Sequence, residues 1–98
     1  LKIVAVTACP TGIAHTYMAA EQLERTASEL GHHIKVETQG AMGVENELSA
    51  REIREADAVL LAADIEIDGR DRFSGKKIVE VSVRDAIKQT KAVFGKLG

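Results

Sequence analysis

Cys9, Pro10, Gly12 and His15 fall close together in the stretch Val6-Thr7-Ala8-Cys9-Pro10-Thr11-Gly12-Ile13-Ala14-His15-Thr16, which holds the chain's single cysteine and single proline. The thiolate is the nucleophilic form of cysteine, and it is favoured where positive potential is supplied. A helix beginning near Gly12 or Ile13 would supply it. The first amides of a helix have no intrahelical acceptor, and with the helix dipole they form a ready anion site. A phosphoryl group on the Cys9 sulfur would bring three oxygens needing those same donors. Gly12 lets the backbone curl closely, and Pro10 fixes its own φ and offers no N–H. Thr11 and Thr16 add hydroxyls on either side of Ile13 and Ala14. A cationic His15 in a first helical turn is unfavourable unless an anion shares the site. The plainer reading is a small buried thiol at an ordinary turn beside an exposed, neutral histidine. The joint placement of cysteine, proline and glycine favours the anion site.

A cysteine followed after five residues by arginine, at a helix start, is the nucleophilic loop of the low-molecular-weight tyrosine phosphatases. Here the sixth residue after Cys9 is His15, so the planar guanidinium that clamps phosphate bidentately is missing from the loop. No Asp-Pro pair occurs, so those enzymes' usual general-acid loop has no counterpart either. Such a loop accepts a phosphoryl group but is poorly equipped to hydrolyse it. That is the chemistry of a carrier.

The surrounding pattern says what must hold the loop. Lys2–Thr7 is a short, mostly apolar run of the kind found in a parallel sheet buried on both faces. Residues 14–30 follow the helical period, with Ala20, Leu23, Ala27 and Leu30 on one stripe and Gly31 closing the helix. His33–Thr38 alternates and predicts a strand with one exposed face at a sheet edge; Gln39–Val44 reads as a glycine-containing loop. Ser49 and Glu52 form a capping box, stapled by Leu48 and Ile53, for a short helix ending near Ala56. Ala58–Ala63 is the most apolar run and predicts a central strand with Asp64 at its far end. Asp68-Gly69 marks a turn, with one helical turn around Asp71 and Phe73. Ile78–Val81 is a fourth strand, and Ser82 with Asp85 opens a final helix through about Phe94.

This alternation predicts an α/β three-layer sandwich, Rossmann-like, with a four-stranded parallel sheet in the order 2-1-3-4. Ligands bind such sheets beyond the carboxyl ends of the strands. The Cys9 loop, Gln39 and Gly40 of the neighbouring loop, and Asp64 should converge there.

Composition narrows the class. Ninety-eight residues with 45% hydrophobic content suit one domain with one modest core. The net charge is −2, with three Lys/Arg against six Asp/Glu in residues 1–50 and ten against nine in 51–98. That balance argues against a nucleic-acid partner. No apolar run reaches the roughly 20 residues of a membrane span. One cysteine excludes an intrachain disulfide and a zinc framework. The pair His32 and His33 lacks a convincing third metal ligand.

Cys9-Pro10-Thr11-Gly12-Ile13-Ala14-His15-Thr16, preceded by Ile3-Val4-Ala5-Val6-Thr7, closely resembles the IIB domain of the fructose family in the bacterial phosphoenolpyruvate-dependent sugar phosphotransferase system. Val36-Glu37-Thr38-Gln39-Gly40, Ala56-Asp57-Ala58-Val59-Leu60 and Ala62-Ala63-Asp64 extend the resemblance over essentially the whole chain. The resemblance implies a single IIB domain over residues 1–98, compatible with excision from a longer IIABC or IIBC polypeptide. It implies that Cys9 takes a phosphoryl group from a phosphohistidine of IIA and passes it to a sugar, usually fructose, held by the membrane-embedded IIC. The covalent phosphoryl group on Cys9 is then the only group carried, with no cofactor and no metal. The implied location is cytoplasmic, at the inner face of the cell membrane when joined to or docked on IIC. The backbone of Thr11 to Ala14 would cradle the oxygens, with help from the hydroxyls of Thr11 and Thr16. Tyr17, Met18 and Met42 would form an apolar docking rim, although ordinary packing suits Met18 better. A regulatory phosphoryl-accepting domain and a phosphatase-like or arsenate-reducing enzyme are the competing readings.

Overall fold

The computed structural model describes residues 1–9, 13–40 and 43–97. Strands β1 (Lys2–Ala8), β2 (His33–Gly40), β3 (Gly43–Glu45), β4 (Ala58–Ala63) and β5 (Ile78–Val81) form one sheet in the order β3-β2-β1-β4-β5. Four are mutually parallel, and β3 pairs antiparallel outside β2. The sheet therefore has five strands where the sequence predicts four, and the expected order 2-1-3-4 is corrected by this addition. β3 is three exposed residues long, too short to show a period. Its addition also corrects the reading of Gln39–Val44 as a loop, because Gln39 pairs with Val44 and Gly40 with Gly43.

Helices cover both faces. Ile3, Ala5 and Cys9 point to one side, where α1 (Ile13–Glu29), α3 (Val83–Lys88) and α4 (Thr90–Gly95) contribute Leu23, Ala27, Val83, Ala86, Val93 and Phe94. Val4, Val6 and Ala8 point to the other, against Ile53 of α2 (Ala50–Glu55) and Phe73 of a 3-10 turn at Arg70–Phe73. The two-sided apolar character of β1 is the cause of this layering. Among the described residues no helix is long and apolar enough to cross a membrane.

Local signals fix the ends. α1 closes with Gly31 at φ 79°, where the His32 N–H donates to the Ala27 carbonyl and the Gly31 N–H to Ser28. This is a Schellman stop, and it leaves Leu30, expected on the buried stripe, 46% exposed. Both bonds of the Ser49–Glu52 capping box are present. The predicted final helix is instead two, broken at Gln89. There the Thr90 hydroxyl donates to the carbonyls of Ala86 and Ile87, a side-chain bond that competes with the helical ladder.

The second face of β2 departs most from expectation. It is covered over Glu37 and Gln39, and Glu37 is only 1% exposed. Arg72 from the 3-10 turn donates to both Glu37 oxygens, at 2.8 and 3.0 Å, while the Leu48 N–H and Gln39 Nε2 donate to them as well. Lys35, two residues earlier, reaches Glu52 of α2 at 2.8 Å. Lys35 and Glu37 are drawn in because each meets a partner of opposite charge, while His33 at the start of the strand stays exposed. Gly69 makes room for this arrangement. It has φ 74°, and a Cβ there would lie 2.6 Å from Arg72 Nε.

Burial alone would raise the Glu37 carboxyl's pKa, but the bonds from Arg72, Leu48 and Gln39 and the charge of Arg72 bring it below the ordinary 4.5. A depressed carboxylate stabilises the fold fully above its unfolded value, and that contribution is lost as pH falls through the folded value. Urea titrations should show stability falling below about pH 4.5, with this component absent in Glu37→Gln. Arg72→Met, which strands the buried carboxylate, should cost about 3 kcal/mol at neutral pH. A loss under about 1 kcal/mol would contradict the role given to the pair.

Candidate active site

Cys9 follows the last residue of β1, and α1 starts at Ile13. Pro10, Thr11 and Gly12 lie outside the described residues, as do the side chain of Ile13 and Met42. What holds the junction on both sides is visible. Thr7, fully buried in β1, donates from Oγ1 to the Thr16 carbonyl at 3.2 Å and so ties the strand to the first turn of α1. On the other flank, the Asp64 N–H donates to the Ala8 carbonyl at 3.1 Å, extending the β1–β4 ladder by one residue.

Asp64 then turns toward α3. Its Oδ1 accepts the Val83 N–H at 3.2 Å, and its Oδ2 lies 4.0 Å from Cys9 Sγ. The Ser82 hydroxyl accepts the Asp85 N–H, so this helix start is capped twice. Asp64 is thus within reach of the thiol, as sequence position suggests, while its visible amide partner is that of Val83.

Gln39 and Gly40 are the last residues of β2, and Gln39 lies opposite Ala8 in the register. The Gln39 amide is committed elsewhere. Nε2 donates to Glu37 and to the Asp68 carbonyl, and Oε1 accepts the Asp68 N–H at 2.8 Å. Its work is to bind the segment after β4 to the end of β2. Gln39 is thus a strand residue at the end of β2, not part of a loop.

The thiol is 9% exposed and packs with Ala62, Val83 and their neighbours, yet it also borders open space. A groove of about 360 Å³ between α1 and α3 is lined by Cys9, His15, Met18, Asp64, Val83, Arg84, Ile87 and Lys88. Ala14 and His15 are exposed in the first turn of α1, which carries no acidic residue to compete for an anion. Met18 is 48% exposed on this groove, so packing does not account for it. Tyr17, also exposed, donates from its hydroxyl to Glu45 of β3. Thr16 is 2% exposed, and its Oγ1 has no hydrogen-bond partner among the described residues. Buried hydroxyls are normally satisfied, so this one needs an explanation.

Three contributors escaped sequence reasoning. Thr7 was visible as the one hydroxyl in an apolar strand, a hint that it bonds inward. Arg84 and Lys88 are one helical turn apart and face the groove together, but only the fold brings α3 beside Cys9. No group of three or more His, Cys, Asp or Glu placed to hold a metal occurs among the described residues.

Fold and site together define a small, doubly covered α/β domain whose cysteine follows the first strand and borders a cation-lined groove. Comparison with known proteins narrows this class. Residues 4–96 match the family model described as PTS system, Lactose/Cellobiose specific IIB subunit. PTS system fructose-like EIIB component 2 of Escherichia coli (strain K12) is 54% identical over 96 residues, spanning 98% of this chain and 91% of that protein. The Fructose-like PTS system EIIBC component of the same strain is 54% identical over 99 residues, which cover 99% of this chain but 20% of that longer protein. A crystal structure of a domain from the fructose-specific IIABC component of Borrelia burgdorferi superposes with a TM-score of 0.93 at 48% identity, covering 97% of this chain and 90% of that one. The chain belongs to the IIB family of the sugar phosphotransferase system, in its fructose branch, and is a phosphotransferase component.

The orphaned hydroxyl yields a stability test. Thr16→Val removes a buried, unsatisfied oxygen at nearly constant shape and with little change in helix propensity. Urea unfolding of the unphosphorylated domain should show a gain of about 1 kcal/mol. A loss of that size would mean the hydroxyl has a partner in the resting protein.

Proposed function

We propose that Cys9 carries the phosphoryl group between a phosphohistidine of IIA and a sugar, fructose, bound by membrane IIC. The domain would then act at the cytoplasmic face of the membrane that holds IIC. The observation carrying this reading is the placement of the single thiol at the end of β1, bordering a groove lined by His15, Arg84 and Lys88. The names of relatives add to it, since one joins the B and C components in a single protein.

In the first step the Cys9 thiolate attacks phosphorus, the Sγ–P bond forms, and the N–P bond breaks. The bonding pair returns to the donor imidazole nitrogen, and the proton given up by the thiol ends on that imidazole. In the second, a sugar hydroxyl oxygen attacks phosphorus and the sulfur leaves as thiolate. The proton lost by the hydroxyl balances the one that regenerates the thiol, and the product is fructose 1-phosphate. No oxidant or reductant takes part. Thr16 Oγ1, which has no partner among the described residues, supplies a donor for a phosphoryl oxygen or for the loop that holds it. The backbone of residues 11–14 is assigned the remaining oxygens on the ground that a helix start offers unpaired N–H groups. A thiolate that already carries its charge needs no general base from His15.

Incubation with phosphorylated IIA, followed by intact mass measurement, tests the assignment. The native domain should gain one phosphoryl group and release negligible inorganic phosphate, while Cys9→Ser should show at least a hundredfold slower gain. Transfer unchanged in Cys9→Ser, or a phosphoryl group on His15, would overturn it. Thr16→Val should slow the gain about tenfold, the loss of roughly one hydrogen bond to a charged group.

A further inference from the structure

The groove poses a problem of charge. Asp64 Oδ2 lies 4.0 Å from Cys9 Sγ, so an anionic sulfur, and still more a phosphorylated one, stands beside a carboxylate. Like charges at that distance repel strongly in a partly buried setting. Positive charge in addition to the helix-start amides would favour the phosphorylated sulfur, and the loop itself lacks the arginine that supplies it in the phosphatase loop. His15 is one candidate, but an imidazole is not a permanent cation. The groove contains two permanent cations. Arg84 and Lys88 both line it, and neither forms an ion pair among the described residues; of the other arginines, Arg25, Arg51, Arg70 and Arg72 are paired and Arg54, away on α2, is not.

Arg84 is the better placed. It directly follows Val83, whose N–H is held by the same Asp64 carboxylate that faces the thiol. Its backbone position is therefore linked to Cys9 through one side chain. Lys88 sits a helical turn further along the groove. A guanidinium also presents paired N–H donors that match two phosphoryl oxygens, which an ammonium does not.

We infer that Arg84 is a catalytic residue of the transfer, binding the phosphoryl group as it moves onto Cys9 and supplying from α3 the charge that phosphatases draw from the loop. Lys88 serves the same groove at longer range, where it attracts the anionic donor. The inference rests on the phosphocysteine reading. The step remains the one already balanced, with Sγ–P formed and N–P broken, and Arg84 gains or loses no proton.

Single-turnover transfer from phosphorylated IIA to the intact domain, measured across donor concentration, distinguishes these roles. Arg84 is exposed, and Arg84→Gln should melt within a few degrees of the native protein. Its maximal rate at saturating donor should fall at least tenfold, and Arg84→Lys should recover part of that loss. Lys88→Gln should keep the maximal rate within about twofold and shift only the donor concentration needed. A maximal rate for Arg84→Gln within twofold of the native value would overturn the inference, as would a change confined to the concentration dependence. If the native domain itself gains no phosphoryl group, the phosphocysteine reading fails instead, and the two failures are told apart in one experiment.

Discussion

A carboxylate placed inside a 98-residue domain must be answered on every side, and Glu37 imposes that condition on this fold. An unpaired buried charge would cost several kcal/mol, comparable to the whole stability of a small domain. The donors that satisfy it come from three parts of the chain: Arg72 in the 3-10 turn, the Leu48 amide before α2, and Gln39 further along β2, whose own amide is held in turn by the Asp68 backbone. The irregular segment after β4 and the approach to α2 are thereby fastened to β2. On this side of the sheet the pairing at β2 adjoins an apolar cluster that includes Val6, Ile53, Val59 and Phe73, while the opposite side holds α1, α3 and α4.

That division matters for the thiol. On the α1 and α3 side, small side chains such as Ala5, Ala19, Ala27, Ala62 and Ala86 bring helices close to the sheet. Two directed contacts then set the junction: Thr7 with the Thr16 carbonyl, and Asp64 with the Val83 amide. The first holds the start of α1 against β1, and the second holds the start of α3 beside the end of β4. Cys9 lies between them with a groove at its side. The geometry brings a nucleophile, a carboxylate and permanent cations together from segments that are far apart in sequence.

Much of this was legible before the fold was known, and the exceptions have physical causes. The parallel strands, the Ser49 cap and the Gly31 stop were readable because each rests on local residues whose preferences agree. β3 was not, since three exposed residues carry no period and their pairing depends on the neighbouring strand. The sequence of β2 reads as a half-solvated edge because alternation cannot distinguish a polar side chain facing water from one facing an ion-pair partner thirty-five positions away, as Arg72 is from Glu37. For the site, Cys9 and its loop residues announced themselves by type and spacing. Arg84 and Lys88 did not, because nothing in their own helix separates a groove-facing cation from a solvated one.

Phosphorus NMR of the domain after loading from phosphorylated IIA examines the central claim at the bond itself. The account predicts a single protein-borne resonance in the range of an S-linked phosphomonoester, absent in Cys9→Ala. A phosphoramidate resonance from a histidine of this chain, or a native domain yielding only inorganic phosphate, would contradict it.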